Sequence, residues 1–217
     1  MPSKRVRVMR RLGGCAALLL SAATFAAGTD LAQTILARMA QPGSARVDYV
    51  EVSYRGMLDR PLITSGEMKW LGGDKLERDV ERPYQAIAKI GDGEMSVQRG
   101  SGAVQTIPLS RAPQIAAILS GFRALLGGNA AQLAQDFQVS ATGNPARWVL
   151  TLTPRSEELK HRVQEIVIDG RDNAPRCMTL RENDGDTTIT LLGAMAKQGL
   201  QSTTPQQSAV AARCRNE

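Results

Sequence analysis

Few side chains in these 217 residues could carry chemistry: one histidine, three cysteines and one acid-rich hairpin. His161 sits in Glu157-Glu-Leu-Lys-His-Arg162, surrounded by charge, and reads as a solvated residue. A serine triad would have to use it, yet no Gly-x-Ser-x-Gly elbow is present. Without a second histidine there is no zinc site of the His/Cys type. Glu182-Asn-Asp-Gly-Asp186 is acidic but lacks the twelve-residue ligand spacing of a calcium loop, so it reads as a hairpin turn. Gly72-Gly73 and Gly100-Ser-Gly102 fall between strand patterns and not where a strand meets a helix, the place of a phosphate loop. The expectation is a protein that is not an enzyme, with no catalytic residue, no cofactor and no metal.

The cysteines divide into two groups. Cys15 lies in Leu12-Gly13-Gly14-Cys15, which has the look of a lipidation box. A lipidated cysteine follows the apolar core of its leader, whereas Leu18-Leu19-Leu20 lies beyond Cys15, so lipidation is set aside. Cys177 and Cys214 are the other two. In an oxidising compartment they could pair or remain free, and the sequence leaves both open.

The compartment is read from the first 28 residues. Lys4, Arg5, Arg7, Arg10 and Arg11 precede an almost wholly apolar run from Leu12 to Ala27, which exits through Gly28-Thr29-Asp30. A basic head, a short apolar core and a small-residue exit make a secretory signal peptide, expected to be cleaved near Ala26 to Gly28. The run is shorter than the ~20 residues of a membrane-spanning helix, so no stable membrane anchor is expected. The whole chain carries 27 Lys+Arg against 21 Asp+Glu, a net +6. The leader holds five of those bases and no acid, which leaves 22 against 21, or +1. A nucleic-acid partner loses its support, because that footprint is a net basic face.

The elements behind these residues follow from periodicity. Leu31, Ile35 and Met39 give one helical stripe that Thr29 or Asp30 could cap. Alternating runs then predict strands at Val47–Tyr54, Ile63–Leu71, Lys75–Val80, Tyr84–Ile90, Met95–Arg99 and Val104–Leu109. Leu76 and Val80 share a face with Arg78 between them. Asp92-Gly93 is a tight hairpin signal. Ile115, Ile118, Leu119 and Phe122 switch to helical spacing. Asn129 can cap a short helix carrying Leu133 and Phe137. Strands resume at Phe137–Ala141, Trp148–Thr153, Val163–Asp169, Arg176–Glu182 and Thr187–Leu192, with a short helical link at Ser156–Leu159. From Ala194 the composition is polar and reads as a disordered tail. Sequential hairpins imply one antiparallel sheet of about ten strands. Each strand has one apolar face, which must be covered. A strongly curved sheet lidded by two or three helices follows.

Four stretches, in this order, carry a resemblance. They are Arg55-Gly-Met-Leu-Asp-Arg-Pro-Leu62 with Ser65-Gly66-Glu67 and Asp74-Lys-Leu76; Gly128-Asn-Ala-Ala-Gln-Leu133; Trp148-Val-Leu-Thr-Leu-Thr-Pro154; and Glu182-Asn-Asp-Gly-Asp186. From Leu31 to Leu192 the chain resembles the periplasmic outer-membrane lipoprotein carriers (LolA/LolB-like), in a divergent LolA-related branch. The resemblance implies an incomplete barrel over residues 29–193, after a leader at 1–28 and before a tail at 194–217. It also implies a periplasmic carrier that receives lipoproteins, or another acylated cargo, from an inner-membrane donor and passes them to an outer-membrane acceptor. Moving ~15 methylenes through water costs on the order of 12 kcal/mol at ~0.8 kcal/mol per CH₂, which an apolar hollow avoids. On this reading the hollow is expected to be walled by Val50, Val52, Tyr54, Met68, Trp70, Leu76, Val80, Met95, Val97, Trp148, Leu150, Leu152, Met178, Leu180, Ile189 and Leu191. Ile115, Ile118, Leu119 and Phe122 would form its lid. The alternative is a non-carrier adaptor or accessory subunit of an envelope lipid or glycolipid export or biosynthesis system, its sheet filled by its own side chains.

Overall fold

The computed structural model describes residues 24–40, 43–111 and 128–216. The expected lid residues Ile115, Ile118, Leu119 and Phe122, and most of the leader with Cys15, lie outside the described residues. The first six strands are β1 (Ala45–Tyr54), β2 (Leu62–Trp70), β3 (Leu76–Arg82), β4 (Ala86–Gly91), β5 (Glu94–Arg99) and β6 (Gln105–Pro108). The last five are β7 (Phe137–Asn144), β8 (Arg147–Pro154), β9 (Val163–Arg171), β10 (Ala174–Glu182) and β11 (Thr187–Leu192). All eleven form one open antiparallel sheet in the order β6-β5-β4-β3-β2-β1-β11-β10-β9-β8-β7. Each half is a run of hairpins, and β1 pairs with β11 to join them. The fold is thus mainly β, a curved half-barrel with helices.

Local chemistry sets the connections. Asp92 and Gly93 both take positive φ, 54° and 78°, as the mirror-image turn of a tight hairpin requires. The helix α2 (Ala130–Asp136) is capped by Asn129, whose Oδ1 accepts from the Gln132 amide at 3.0 Å. Ser156 caps α3 (Glu157–Lys160) in the same way.

Helix α1 (Thr24–Met39) corrects one expectation: it starts at Thr24, so neither Thr29 nor Asp30 caps it. Phe25-Ala-Ala continues the helical turn, alanine being the best helix former, and one glycine at position 28 does not break it. Its Ile35, Leu36 and Met39 are buried against Phe137, Trp148, Leu150, Leu152, Ile166 and Ile168. This packing defines the inner face of the sheet. Gly170 pairs directly with Trp148. A Cβ there would stand 2.2 Å from Trp148 Cζ2, so the indole lies in the space that glycine leaves. The indole Nε1 donates to the Asp172 carbonyl at 2.9 Å.

The tail is the second correction. Its polar composition predicts disorder, yet it forms α4 (Ala194–Lys197) and α5 (Gln207–Asn216). Both lie on the outer face, α4 against β1, β10 and β11 and α5 against β11. Met195, Val210 and Cys214 pack with Cys177, Ile189 and Leu191 in a second core cluster. Cys177 and Cys214 are joined by a disulfide, their Cα atoms 5.7 Å apart. Tyr54 Oη donates to the Pro205 carbonyl at 3.1 Å. A few buried anchors and one covalent link order a segment whose average composition is polar.

Candidate functional site: the inner face of the first half-sheet

Strand register brings five apolar side chains into one line. Trp70 pairs with Leu76, Leu76 with Ile90, Ile90 with Met95 and Met95 with Ile107. At ~4.8 Å per strand step the line runs roughly 19 Å across β2 to β6. The adjacent row is Met68, Arg78, Ala88 and Val97, and the next is Gly66, Val80 and Ala86. The stripe is covered incompletely. Met68, Trp70, Leu76, Ile90, Met95 and Val97 are half-buried and Ile107 is 41% exposed, whereas Leu150 in the other half is fully buried at 0%. Among the described residues, the inner face therefore has a sealed half over β7–β10 and a half over β2–β6 whose apolar surface is partly uncovered.

The expected wall residues fall into three places. Met68, Trp70, Leu76, Val80, Met95 and Val97 come together on the half-covered stripe. Trp148, Leu150, Leu152, Met178 and Leu180 share the same face but pack in or against the α1 core. Val50, Val52, Tyr54, Ile189 and Leu191 point the other way. Val50 and Tyr54 pack with Ile189 and Leu191 beneath the tail, and Val52 pairs with Ile189. These five are corrected from inner wall to outer face. A period of two groups residues by face but does not say which face is which. Ile90 and Ile107 belong to the stripe as well. They were legible only through their register with Met95, which hairpin geometry decides.

The centre of the inner face is polar, which an apolar pattern does not reveal. On β1 the inward positions are Tyr49, Glu51 and Ser53. Thr64 on β2 and Thr190 on β11 stand directly opposite Glu51, and Thr188 opposite Ser53. Arg78 reaches across β2, where Gly66 presents no side chain. Its Nη2 donates to Glu51 Oε1 at 2.8 Å and to Thr64 Oγ1 at 3.2 Å. The guanidinium lies 4.8 Å from the Tyr49 ring centroid, a cation–π distance. Glu51 Oε2 accepts from Thr190 Oγ1 at 3.3 Å. Burial pushes the Tyr49 phenol up, against the pull of Arg78, so it stays a neutral donor.

Two of the motifs singled out in the sequence meet at one rim. The Arg55 guanidinium is bound by Glu182 and, at 3.1 Å, by Asp186. It also donates to Thr188 Oγ1 at 3.3 Å. The Gly56 amide donates to Asp186 Oδ1 at 2.8 Å. The Gly56 hydrogen bond, then Arg55, holds the Asp186 carboxyl below the usual range. This clasp ties the β1–β2 loop to the β10–β11 turn, so both motifs have a structural role.

The outer face of the first half-sheet is ionic. Lys69 Nζ binds Asp79, and Glu77 at 2.8 Å, and these hydrogen bonds hold its ammonium above the ordinary lysine range. A cavity of about 440 Å³ lies beside β3 to β6, lined by Lys75, Glu77, Lys89, Asp92, Glu94, Ser96 and Thr106 with Leu71, Leu76, Ile90 and Val104. So charged a lining does not suit methylenes. Among the described residues there is no cluster of His, Cys, Asp and Glu able to hold a metal ion. Nor is any described helix long and apolar enough to cross a membrane.

A family model described as outer membrane lipoprotein carrier protein LolA-like matches residues 22–216. No curated protein matches the chain. A LolA superfamily protein from Nitrosomonas europaea is similar in structure, with 12% identity and a TM-score of 0.42, covering 75% of this chain and 91% of that one. A putative outer membrane lipoprotein-sorting protein domain from Vibrio parahaemolyticus is 11% identical, with a TM-score of 0.45, covering 88% and 99%.

Proposed function

This chain belongs to the LolA-like outer-membrane lipoprotein carrier family, and from that premise we propose that it is an exported, periplasmic, non-enzymatic carrier. Its cargo is the acyl chain of a lipoprotein or another lipidated molecule, taken from an inner-membrane donor towards an outer-membrane acceptor. The observation that carries this reading is the half-covered apolar line Trp70, Leu76, Ile90, Met95 and Ile107. A folded protein gains by removing such surface from water, at about 25 cal/mol per Å². An acyl chain laid along the line covers it and is itself removed from water. Unbranched methionines at positions 68 and 95 let the surface adapt to chains of different shape, which suits a carrier that must also release.

Native mass spectrometry of protein purified from the periplasm tests the reading. The expected result is co-purifying acyl species, lost in Met95→Glu because a carboxylate cannot be buried against methylenes without a partner. Protein that is always empty, and that takes up no fluorescent fatty acid, overturns it. The sealed β7–β10 half favours the adaptor alternative for that part of the sheet alone, since its inner face is filled by its own side chains.

A further inference from the structure

The polar cluster beside the apolar stripe has two buried polar atoms that no described residue meets at hydrogen-bond geometry. Tyr49 is 1% exposed. Its Oη and the Arg78 Nε are both buried with no hydrogen-bond partner among the described residues. Buried donors are nearly always satisfied, and an unmade bond forfeits the group's whole desolvation cost. The two donors belong to one assembly, because the Arg78 guanidinium lies over the Tyr49 ring. That assembly is electrically balanced, with Arg78 paired to Glu51. The remaining carboxylate oxygen of Glu51 is taken by Thr190. What is left over is the Tyr49 hydroxyl, the Arg78 Nε–H and no net charge.

This remainder selects a ligand by its chemistry. A free carboxylate or a phosphate would bring a negative charge that no unpaired cation offsets. The carbonyl oxygen of an ester or an amide is uncharged and can accept from both groups at once. Position also fits, because Arg78 stands between Met68 and Ala88 in the row next to the Trp70–Ile107 line. The Arg78 side chain is 35% exposed, so the cluster borders solvent through that group.

We infer that Tyr49 and Arg78 anchor the carbonyl of an uncharged acyl ester or amide whose chain lies along the apolar stripe. This rests on the carrier reading above and adds the class of head group. The test is fluorescence titration of the purified full chain with three probes: a pyrene-tagged long-chain methyl ester, the matching free acid and the matching alkane. The ester is expected to bind on the order of tenfold more tightly than the acid or the alkane. Tyr49→Phe keeps the ring and its packing, and circular dichroism checks its fold. It is expected to weaken the ester by roughly threefold to tenfold and leave the alkane unchanged. Ester binding that is unaltered in Tyr49→Phe, or a wild-type preference for the acid, overturns the anchor while alkane binding still upholds the carrier. Failure of all three probes to bind overturns both. Competition identifies the source of the carbonyl. Displacement by dipalmitoylglycerol points to a lipid ester, displacement by a diacylated cysteine lipopeptide points to a lipoprotein, and displacement by neither overturns the anchor.

Discussion

At the scale of single residues, two positions carry more of the fold than their chemistry suggests. Gly170 is required because the Trp148 indole lies where a Cβ would be, 2.2 Å away. Gly170→Ala must displace a fully buried ring and its hydrogen bond, and overpacking of this kind costs about 1–3 kcal/mol. Urea denaturation is expected to show that loss, and an unchanged midpoint would refute the packing account. Asp186 makes a pH-dependent contribution. Its carboxyl titrates below the ordinary 3.8 in the folded chain because the Gly56 amide and then Arg55 stabilise the anion. The contribution is complete above that ordinary value and is lost as pH falls through the lower folded one. The stability difference between wild type and Asp186→Asn is therefore expected to shrink between about pH 5 and pH 3. A difference constant over that range would show that the clasp does not titrate. Arg55 and the Glu182–Asp186 turn were visible as motifs in the sequence. Their contact was not, since 127 residues separate Arg55 from Glu182.

At the scale of elements, the tail is where composition misleads most. Residues 194–216 average out as polar, and yet Met195, Val210 and Cys214 bury enough to hold two short helices on the sheet. The Cys177–Cys214 link spans 37 residues, and closing a loop of that length removes about 4 kcal/mol of chain entropy from the unfolded state. The Cys177→Ser, Cys214→Ser double variant is expected to lose about 2–4 kcal/mol. It should also become sensitive to trypsin at Lys197 and Arg213. Equal melting points and equal digestion would mean that the apolar anchors suffice. The tail also explains the reversed parity of β1 and β11. Both faces of these strands are covered, α4 and α5 taking the outer one. Val50, Tyr54, Ile189 and Leu191 could therefore turn outward without meeting water, leaving Tyr49, Glu51, Thr188 and Thr190 inside.

At the scale of the whole molecule, the half-barrel divides into a sealed half and a half-covered one. The sheet over β7–β10 is closed by α1, with Leu150 at 0% and Ile168 at 2% exposure. The inner face of β2–β6 keeps a partly uncovered apolar line. Local opening is cheapest where buried apolar contacts are fewest. Hydrogen exchange is expected to be slowest in β8 and β9 and faster in β4 and β5, and addition of an acyl ligand should slow the β2–β6 half and leave β8 and β9 unchanged. Uniform protection in the free protein would contradict the division. The sequence by itself determined the strands, their hairpin order and the Asn129 cap of a short helix. Periods of two, turn residues and residue types are local properties, readable without knowing what lies nearby. Only the tertiary structure decided which face of β1 and β11 is inside, that the polar tail is a cover, and that a neutral polar cluster adjoins the apolar stripe. Each of these depends on contacts between residues far apart in the chain, and a local pattern carries no record of its partner.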